Sequence, residues 1–165
     1  MYDDYSCTMS GLNELLQEAY AAEWETAYNY QVLAEVLEFT EGRVAAEEFD
    51  ADVTEEISHA RRLAKRLRVR GENPDFFADQ LNFGSQEQYS DLEGKEVTEC
   101  ILAAIEAEQD AIEMYTDIIE QAGEVDDYPT EDLAIELLED EQEHLRKLQD
   151  LLDVDERTSR EEFDQ

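Results

Sequence analysis

The sequence predicts an all-α protein, a four-helix bundle with one long crossover between its second and third helices. The chain has 165 residues, enough for one domain with a single core. Four segments carry apolar residues in alternating steps of three and four, the period of an amphipathic helix. Short connections follow the first and third segments, whereas about twenty residues separate the second from the third, a length that can run along a whole bundle.

The first two helices form one predicted hairpin. The first runs from about Ser10 to Phe39, with Gly42 as its predicted stop, and the second from about Arg43 to Arg70, ending at Gly71. Charged side chains interrupt the apolar inward face of each helix. The predicted inward residues are Leu12, Leu16, Ala19, Glu23, Thr26, Tyr30, Leu33 and Leu37, followed by Phe49, Val53, Glu56, His59, Ala60, Leu63 and Leu67.

The third and fourth helices form a second hairpin, from about Leu92 to Ala122 and from about Thr130 to Val154, with Pro129 near the start of the fourth. Glu108 lies on the inward face of the third helix, whereas Glu106 and Glu113 fall outside it. The full inward set is Val97, Ile101, Ala104, Glu108, Ala111, Tyr115, Ile118 and Ala122, then Ala134, Leu137, Glu141, His144, Leu148 and Leu151.

The connection between the hairpins, Glu72 to Asp91, contains four large apolar side chains and is expected to pack against the bundle: Phe76, Phe77, Leu81 and Phe83. The ends of the chain are polar. We therefore divide the sequence into a flexible tail (1–9), the bundle (10–154) and a polar tail (155–165).

The formal net charge of -34 and the pI of about 4.1 exclude a general nucleic-acid binder, which needs cations to neutralise phosphates. An acidic surface of this kind repels itself unless salt screens it, so we expect a halophilic source with high internal salt and greater stability in molar KCl than in low salt. A negative field that gathers cations for an internal site is the rival interpretation, and both can hold. Six basic residues cluster near the end of the second helix, where they favour pairing with the helix terminus and with acidic neighbours or another subunit, with a nucleic-acid patch as the weaker alternative: Arg61, Arg62, Lys65, Arg66, Arg68 and Arg70.

No run of apolar residues is long enough for a membrane span, and the start of the sequence lacks the basic and apolar regions of a signal peptide. These features predict a cytoplasmic protein without membrane association. Cys7 and Cys100 form neither a C-x-x-C pair nor a zinc spacing, which favours two free thiols. A disulfide, redox-active or between subunits, is the alternative.

An internal repeat carries the chemistry. Glu23, Tyr30, Glu56 and His59 recur at one constant offset as Glu108, Tyr115, Glu141 and His144, so each half reads E-x6-Y-x25-E-x2-H. Glutamate is so abundant here that its recurrence means little, but the chain has only two histidines and both fall in this pattern. Five apolar pairs keep the same offset: Leu12 and Val97, Leu16 and Ile101, Leu33 and Ile118, Leu63 and Leu148, and Leu67 and Leu152. The pattern indicates two copies of one helical hairpin.

Four inward carboxylates need compensating charge, because each buried carboxylate costs several kcal/mol and all four repel one another. Two divalent cations supply it, with the imidazoles as neutral ligands. A Glu-x-x-His step places both groups on one helix face, so the six residues are predicted to enclose a dinuclear site: Glu23, Glu56, His59, Glu108, Glu141 and His144. Oxygen and nitrogen ligands without thiolate favour iron or manganese, and zinc is not fully excluded.

Tyr30 and Tyr115 each follow a predicted ligand glutamate by two turns. A buried tyrosine usually packs and satisfies its hydroxyl, which is our interpretation of Tyr115. For Tyr30, both packing and a catalytic role as an electron donor remain open, and Tyr30 is included among the candidate catalytic residues.

The stretches Glu56-Ile-Ser-His-Ala-Arg-Arg-Leu and Asp140-Glu-Gln-Glu-His resemble the E-x-x-H runs of the ferritin-like di-iron proteins, as do Asp127-Tyr128 and the Glu23-x6-Tyr30 step. The resemblance covers about residues 10–152. It is closest to bacterioferritins and to archaeal Dps-like mini-ferritins with a bacterioferritin-type site.

This resemblance implies a ferroxidase that binds two iron ions per chain, oxidises Fe(II) with O2 or H2O2, and stores or detoxifies iron in a hollow homo-oligomeric shell. It implies bridging roles for Glu56 and Glu141, and terminal roles for the other four ligands. Bacterioferritins bind haem through a methionine directly after the second-helix glutamate; Ile57 stands there, so no haem is expected. The short polar tail favours a 12-subunit shell, with a 24-mer or a dimer as alternatives.

Two other functions fit parts of the pattern. A rubrerythrin-like peroxidase or a manganese catalase uses similar ligands on hydrogen peroxide, although the cysteines of a rubredoxin site are absent from this sequence. A non-catalytic helical scaffold adapted to high salt would explain the charge but not the repeated histidines.

Overall fold

A computed structural model describes the backbone of residues 3–37, 42–75 and 97–163, and the side chains of residues 11–37, 42–75 and 97–153. Within these ranges there are four helices and no strands. The helices are α1 (Asp3–Leu37), α2 (Arg43–Val69), α3 (Val97–Glu124) and α4 (Tyr128–Phe163). The predicted all-α class and the number of helices are confirmed.

Contacts between the helices establish the order of the bundle. α1 and α2 are antiparallel, because Gln17 near the start of α1 donates a hydrogen bond to the carbonyl of Asn73, just beyond the end of α2. α1 and α3 are also antiparallel, since Tyr30 bonds Glu108 whereas Tyr115, further along α3, bonds Glu23, which is earlier in α1.

It follows that α2 and α3 run in the same direction, so the end of α2 and the start of α3 lie at opposite ends of the bundle. A single crossover along the bundle must join them, as the length of the connection predicted. The four apolar side chains expected to pack from this connection belong to residues 76–96, which lie outside the described part of the chain.

Both outer helices extend further than the sequence predicted. α1 begins at Asp3 rather than near Ser10, and α4 continues to Phe163 rather than ending near Val154. Neither extension contains glycine or proline, so nothing in the local sequence stops the helix. Gly42, predicted to end the first helix, is the N-cap of α2, and residues 38–41 between it and Leu37 lie outside the described part of the chain.

Hydrogen bonds at the helix ends fix the two hairpins. Beyond α2, Gly71 has a φ of 91°, and the amides of Gly71 and Glu72 bond the carbonyls of Arg68 and Leu67, which is a Schellman ending. Asp126, with a φ of 57°, ends α3 in the same way. The next residue, Asp127, caps α4 by accepting a hydrogen bond of 3.4 Å from the Thr130 backbone amide, and its other carboxylate oxygen accepts one of 2.7 Å from the Thr130 hydroxyl.

Three residues of the basic cluster pair with acidic residues at the α4 side of the bundle, as predicted. Arg66 and Arg70 both bond the Asp127 carboxylate, and Arg62 bonds Glu136. Burial alone would raise the pKa of Asp127, but its bonds to Arg66 and Thr130 lower it. The cluster therefore ties the end of α2 to the start of α4.

Two apolar clusters fill the bundle, one at each end. The first surrounds Leu16, Leu63 and Leu137, and the second surrounds Leu33, Phe49 and Ile101. The layer between them contains buried glutamates and histidines. Cys100 lies in the second cluster as a buried residue, whereas the side chain of Cys7 lies outside those described. Among the described residues, no helix is both long and apolar enough to cross a membrane.

Candidate metal centre

The structure brings all six predicted ligands into the layer between the two apolar clusters. α1 and α3 each contribute one glutamate, and α2 and α4 each contribute a glutamate and the histidine one turn later. All six residues are at most 3% exposed: Glu23, Glu56, His59, Glu108, Glu141 and His144. Glu106 and Glu113, which the helical period placed off the inward face, are exposed.

The six side chains form two overlapping groups. His59 Nδ1 lies 3.0 Å from Glu141 Oε1, 3.5 Å from Glu23 Oε2 and 3.6 Å from Glu56 Oε2. His144 Nδ1 lies 3.1 Å from Glu56 Oε1, 3.1 Å from Glu141 Oε2 and 3.9 Å from Glu108 Oε2. In each group the atoms that could bind a metal ion all lie within 4.8 Å of one another.

Glu56 and Glu141 belong to both groups. Each directs one carboxylate oxygen toward His59 and the other toward His144. Glu23 and Glu108 belong to one group each. Two metal ions, one beside each imidazole, would therefore share two carboxylates.

The outer nitrogens of the two imidazoles also face carboxylates. His59 Nε2 lies 3.2 Å from Asp140 Oδ2, and His144 Nε2 lies 2.8 Å from Glu55 Oε2. An acceptor at Nε2 keeps the proton there and leaves Nδ1 free to bind a metal ion. Neither Glu55 nor Asp140 was predicted as a partner of an imidazole, although Asp140 begins the stretch Asp140-Glu-Gln-Glu-His. They nevertheless occupy equivalent positions in the repeat, each directly before a shared glutamate, so comparing one more position would have found them.

Several inward atoms fit a metal ion better than they fit the surrounding protein. Within the described part of the chain, Glu56 Oε1, His59 Nδ1 and Glu141 Oε1 are buried and complete no hydrogen bond, although each lies 3.0 or 3.1 Å from an atom of the opposite kind. Such atoms are costly to bury, and a divalent cation would satisfy them together. Four carboxylates and two imidazoles make a donor set suited to two divalent first-row ions.

The pKa values of the inward histidines and glutamates indicate which of these groups bind protons when no metal ion is present. Burial alone would lower the pKa of His144, but Glu141 and Glu56 raise it to about 12, and carboxylates likewise hold the pKa of His59 far above its usual range. Burial and the charge of Glu56 raise the pKa of Glu108 to about 9. The same burial raises the pKa of Glu23, so without metal both imidazoles, Glu23 and Glu108 favour their protonated forms, in positions where metal ions would replace the protons.

The two tyrosines connect the halves in a reciprocal manner. Tyr30 of the first half donates a hydrogen bond to Glu108 of the second, and Tyr115 of the second half donates to Glu23 of the first. Both tyrosines are fully buried. These bonds hold Glu23 and Glu108, the carboxylates that belong to only one group each. Tyr30 and Tyr115 therefore occupy equivalent positions.

A cavity of about 220 Å³ between α1 and α3 reaches the carboxylate side of the centre. Its residues come in pairs related by the repeat: Ala22 and Ala107, Glu23 and Glu108, Glu25 and Asp110, Thr26 and Ala111, Asn29 and Met114, and Glu56 and Glu141. Small side chains keep it open. Thr26 and Ala111, predicted as inward positions, are partly exposed along it. The cavity gives a small reactant access to the side opposite the imidazoles.

A family model for the ferritin-like domain matches residues 13–158. The chain belongs to the ferritin-like family. The match covers all six predicted ligands and most of the four helices. Among curated proteins, none matches the sequence at a significant level.

A solved structure supports the ferritin-like fold independently. The chain is similar to the bacterioferritin of Rhodobacter capsulatus, with a TM-score of 0.76 and 22% sequence identity. The similarity covers 90% of this chain and 87% of the other. That bacterioferritin has a dinuclear site, metal-free in its structure, and a haem iron. At this level of identity the likeness establishes the fold.

Proposed function

We propose that this ferritin-like protein is a ferroxidase that oxidises Fe(II) and contributes to iron storage and detoxification. The observation that carries the proposal is the position of Glu56 and Glu141, each with one oxygen toward His59 and one toward His144. This arrangement suits two ions held side by side. Two adjacent Fe(II) ions together supply the two electrons that reduce O2 to H2O2, or H2O2 to water.

Each residue has a role in this proposal. Glu56 and Glu141 bridge the two ions, Glu23 and Glu108 each bind one ion, and the imidazoles each supply Nδ1. Glu55 and Asp140 accept the outer imidazole protons and so orient the rings. Fe(II) and the oxidant enter through the cavity between α1 and α3, where Glu25 and Asp110 attract cations.

The wider function follows the same proposal. Oxidised iron passes into a hollow homo-oligomer, for which we favour 12 copies, in the cytoplasm of a cell with high internal salt. Tyr30 holds Glu108 through its hydrogen bond, and the electron-donor role left open for it requires an oxidant that takes more than the two electrons of the iron pair. Ile57 offers no thioether to iron, so haem is not part of the proposed function.

The decisive experiment is an anaerobic Fe(II) titration in high salt, followed by addition of O2 or H2O2, on protein whose assembly mass is measured by light scattering. We expect two Fe(II) per chain, rapid oxidation and a particle of shell size. Absence of Fe(II) binding would end the proposal. Peroxide turnover without iron accumulation, in a dimer, would indicate a rubrerythrin-like peroxidase or, with manganese bound, a catalase.

Variants distinguish the site from the acidic surface. Glu56→Ala and His144→Ala should lose bound metal, whereas Glu106→Gln, which changes an exposed glutamate on α3, should retain both ions. A non-catalytic scaffold predicts that the variants fold normally and that no metal is bound at this centre; metal that the wild type binds and that Glu56→Ala or His144→Ala loses would dismiss it. Because the metal-free centre holds protons, including one on Glu108 with a pKa of about 9, metal affinity should rise as the pH increases toward 9.

A further inference from the structure

Asp52 breaks the repeat beside the metal centre. It lies on α2, one turn before Glu56, and it is 1% exposed. Leu137 occupies the equivalent position in the second half and belongs to an apolar cluster. Asp52 Oδ1 lies 3.7 Å from His144 Nε2, and its Oδ2 is buried without a hydrogen-bond partner in the described part of the chain. One imidazole therefore has a buried carboxylate at its outer side that the other lacks.

The outer surroundings of the two imidazoles differ for this reason. His59 Nε2 faces Asp140, whose side chain is 48% exposed. His144 Nε2 faces Glu55, whose side chain is 58% exposed, and also Asp52. Water surrounds the exposed acids and weakens their effect on the ring, whereas a buried carboxylate acts at a lower local dielectric.

Lys147 holds Asp52 in this position. Its Nζ lies 3.0 Å from Asp52 Oδ1 and 3.2 Å from Glu48 Oε1. Arg62 is the equivalent residue in the other half, and it pairs with Glu136 nearer the surface. The ammonium group balances the buried carboxylate, which would otherwise be costly to keep inside the bundle.

A third metal ion is a poorer explanation of this cluster. Asp52, Glu55 and His144 do lie close enough together to suggest one. However, a neutral imidazole has one nitrogen lone pair for a metal ion, and Nδ1 of His144 faces the dinuclear centre. Lys147 already supplies a positive charge beside Asp52. The cluster therefore acts on the imidazole.

We propose that Asp52, held by Lys147, is a positioning residue that strengthens the His144 half of the centre, so that this half binds the first metal ion. The inference rests on the proposed dinuclear function. Glu55 accepts the Nε2 proton at 2.8 Å, and the buried negative charge of Asp52, 3.7 Å from Nε2, adds to the polarisation of this N–H bond, which makes Nδ1 a stronger donor. The His59 half has only a hydrated acceptor and fills second.

Anaerobic Co(II) titration of the full-length protein tests this order, because the visible d–d spectrum reports each ion as it binds. The wild type should fill in two steps, with His144→Ala losing the tight step and His59→Ala retaining it. In Asp52→Asn the tight step should weaken by about 10-fold or more, since outer partners of a metal-bound imidazole contribute about 10 to 100-fold in affinity. The weak step should not change, and the two steps should merge.

Two further variants isolate the effect. Asp52→Leu places the residue of the equivalent position at this site and should also merge the steps. Glu48→Gln removes only the other partner of Lys147 and should preserve the order. If the folded Asp52 variants kept both Co(II)-binding steps unchanged, or weakened both equally, the proposed role of Asp52 would be wrong and the dinuclear function would stand. A wild type that never binds two Co(II) ions would instead contradict the dinuclear function.

Discussion

Each imidazole of the candidate metal centre lies among three glutamates on its inner side, but the imidazole from α2 and the imidazole from α4 differ on their outer sides. His59 faces the half-exposed Asp140, which Arg62 approaches only to 3.8 Å. His144 faces an exposed glutamate and the buried Asp52, which Lys147 holds. The inner positions have kept the repeat, whereas the outer positions have diverged.

Different constraints act on the inner ligand residues and on the outer partners of the imidazoles. Two ions at one centre require carboxylates that reach both, so the inner residues of the halves depend on each other. An outer acceptor needs only to hold the Nε2 proton, and several arrangements of acids do this. Changes at the two shared carboxylates, Glu56 and Glu141, should therefore affect both halves, whereas changes at a residue of one group or at an outer partner should affect one.

The largest expected effect comes from the two shared carboxylates. Glu56→Gln or Glu141→Gln should abolish binding of both ions, since each residue faces both imidazoles. Loss of a ligand should exceed the effect of losing an outer partner, about 10 to 100-fold in affinity. Glu23→Gln or Glu108→Gln should retain one ion in the other half. Anaerobic Fe(II) titration of the four variants measures the stoichiometry.

Glu106→Gln is the matched control, because it changes an exposed glutamate on the same helix as Glu108. It should bind two ions as the wild type does. If the four variants of buried glutamates all lost the same number of ions, the distinction between the shared pair, Glu56 and Glu141, and the carboxylates of one group, Glu23 and Glu108, would be wrong.

The sequence was sufficient to predict the four helices and the crossover, because helical period and connection length are local properties that tertiary packing did not override. The six inward residues were also predictable, since a scarce histidine occurs at the same place in each half of the repeat. The ends of α1 and α4 were not, because no glycine or proline marks them.

The outer partners were harder to predict for a physical reason. Glu55 and Asp140 bond histidines on the opposite helix, 89 and 81 residues away, so their roles depend on how α2 and α4 pack. Asp52 has no acidic counterpart in the repeat and is one of 46 acidic residues. Its burial and its contact with Lys147 become evident only in the folded chain.

Substitution of the tyrosines should have a smaller effect than loss of a ligand. It tests whether Tyr30 and Tyr115, which occupy equivalent positions in the repeat, also contribute equally to the reaction. Tyr30→Phe and Tyr115→Phe should each destabilise the fold by about 1 to 3 kcal/mol, since each leaves a buried glutamate without its donor. If Tyr30 alone donates an electron, only Tyr30→Phe should slow oxidation several-fold at unchanged Fe(II) stoichiometry. Thermal unfolding and stopped-flow oxidation measure the two effects. Equal slowing in both variants would remove the distinction between them.

The smallest effect concerns the starts of α2 and α4, which also occupy equivalent positions in the repeat. Asp127 caps α4 with its carboxylate, whereas Gly42, its counterpart in the first half, precedes α2 without a side-chain cap. Gly42 has a φ of -79°, a value open to any residue, so a serine can be introduced there without backbone strain.

Gly42→Ser should therefore stabilise the metal-free protein by a few tenths of a kcal/mol, the usual difference between a serine and a glycine N-cap. Gly42→Ala is the necessary control, because replacing glycine also lowers the entropy of the unfolded chain, by about 0.4 to 1 kcal/mol. The serine variant should exceed the alanine variant in thermal unfolding, since only serine offers an oxygen to the first amides of α2. If alanine stabilised the protein as much as serine, the gain would come from the unfolded chain, and the missing cap would not explain the difference between the two hairpins.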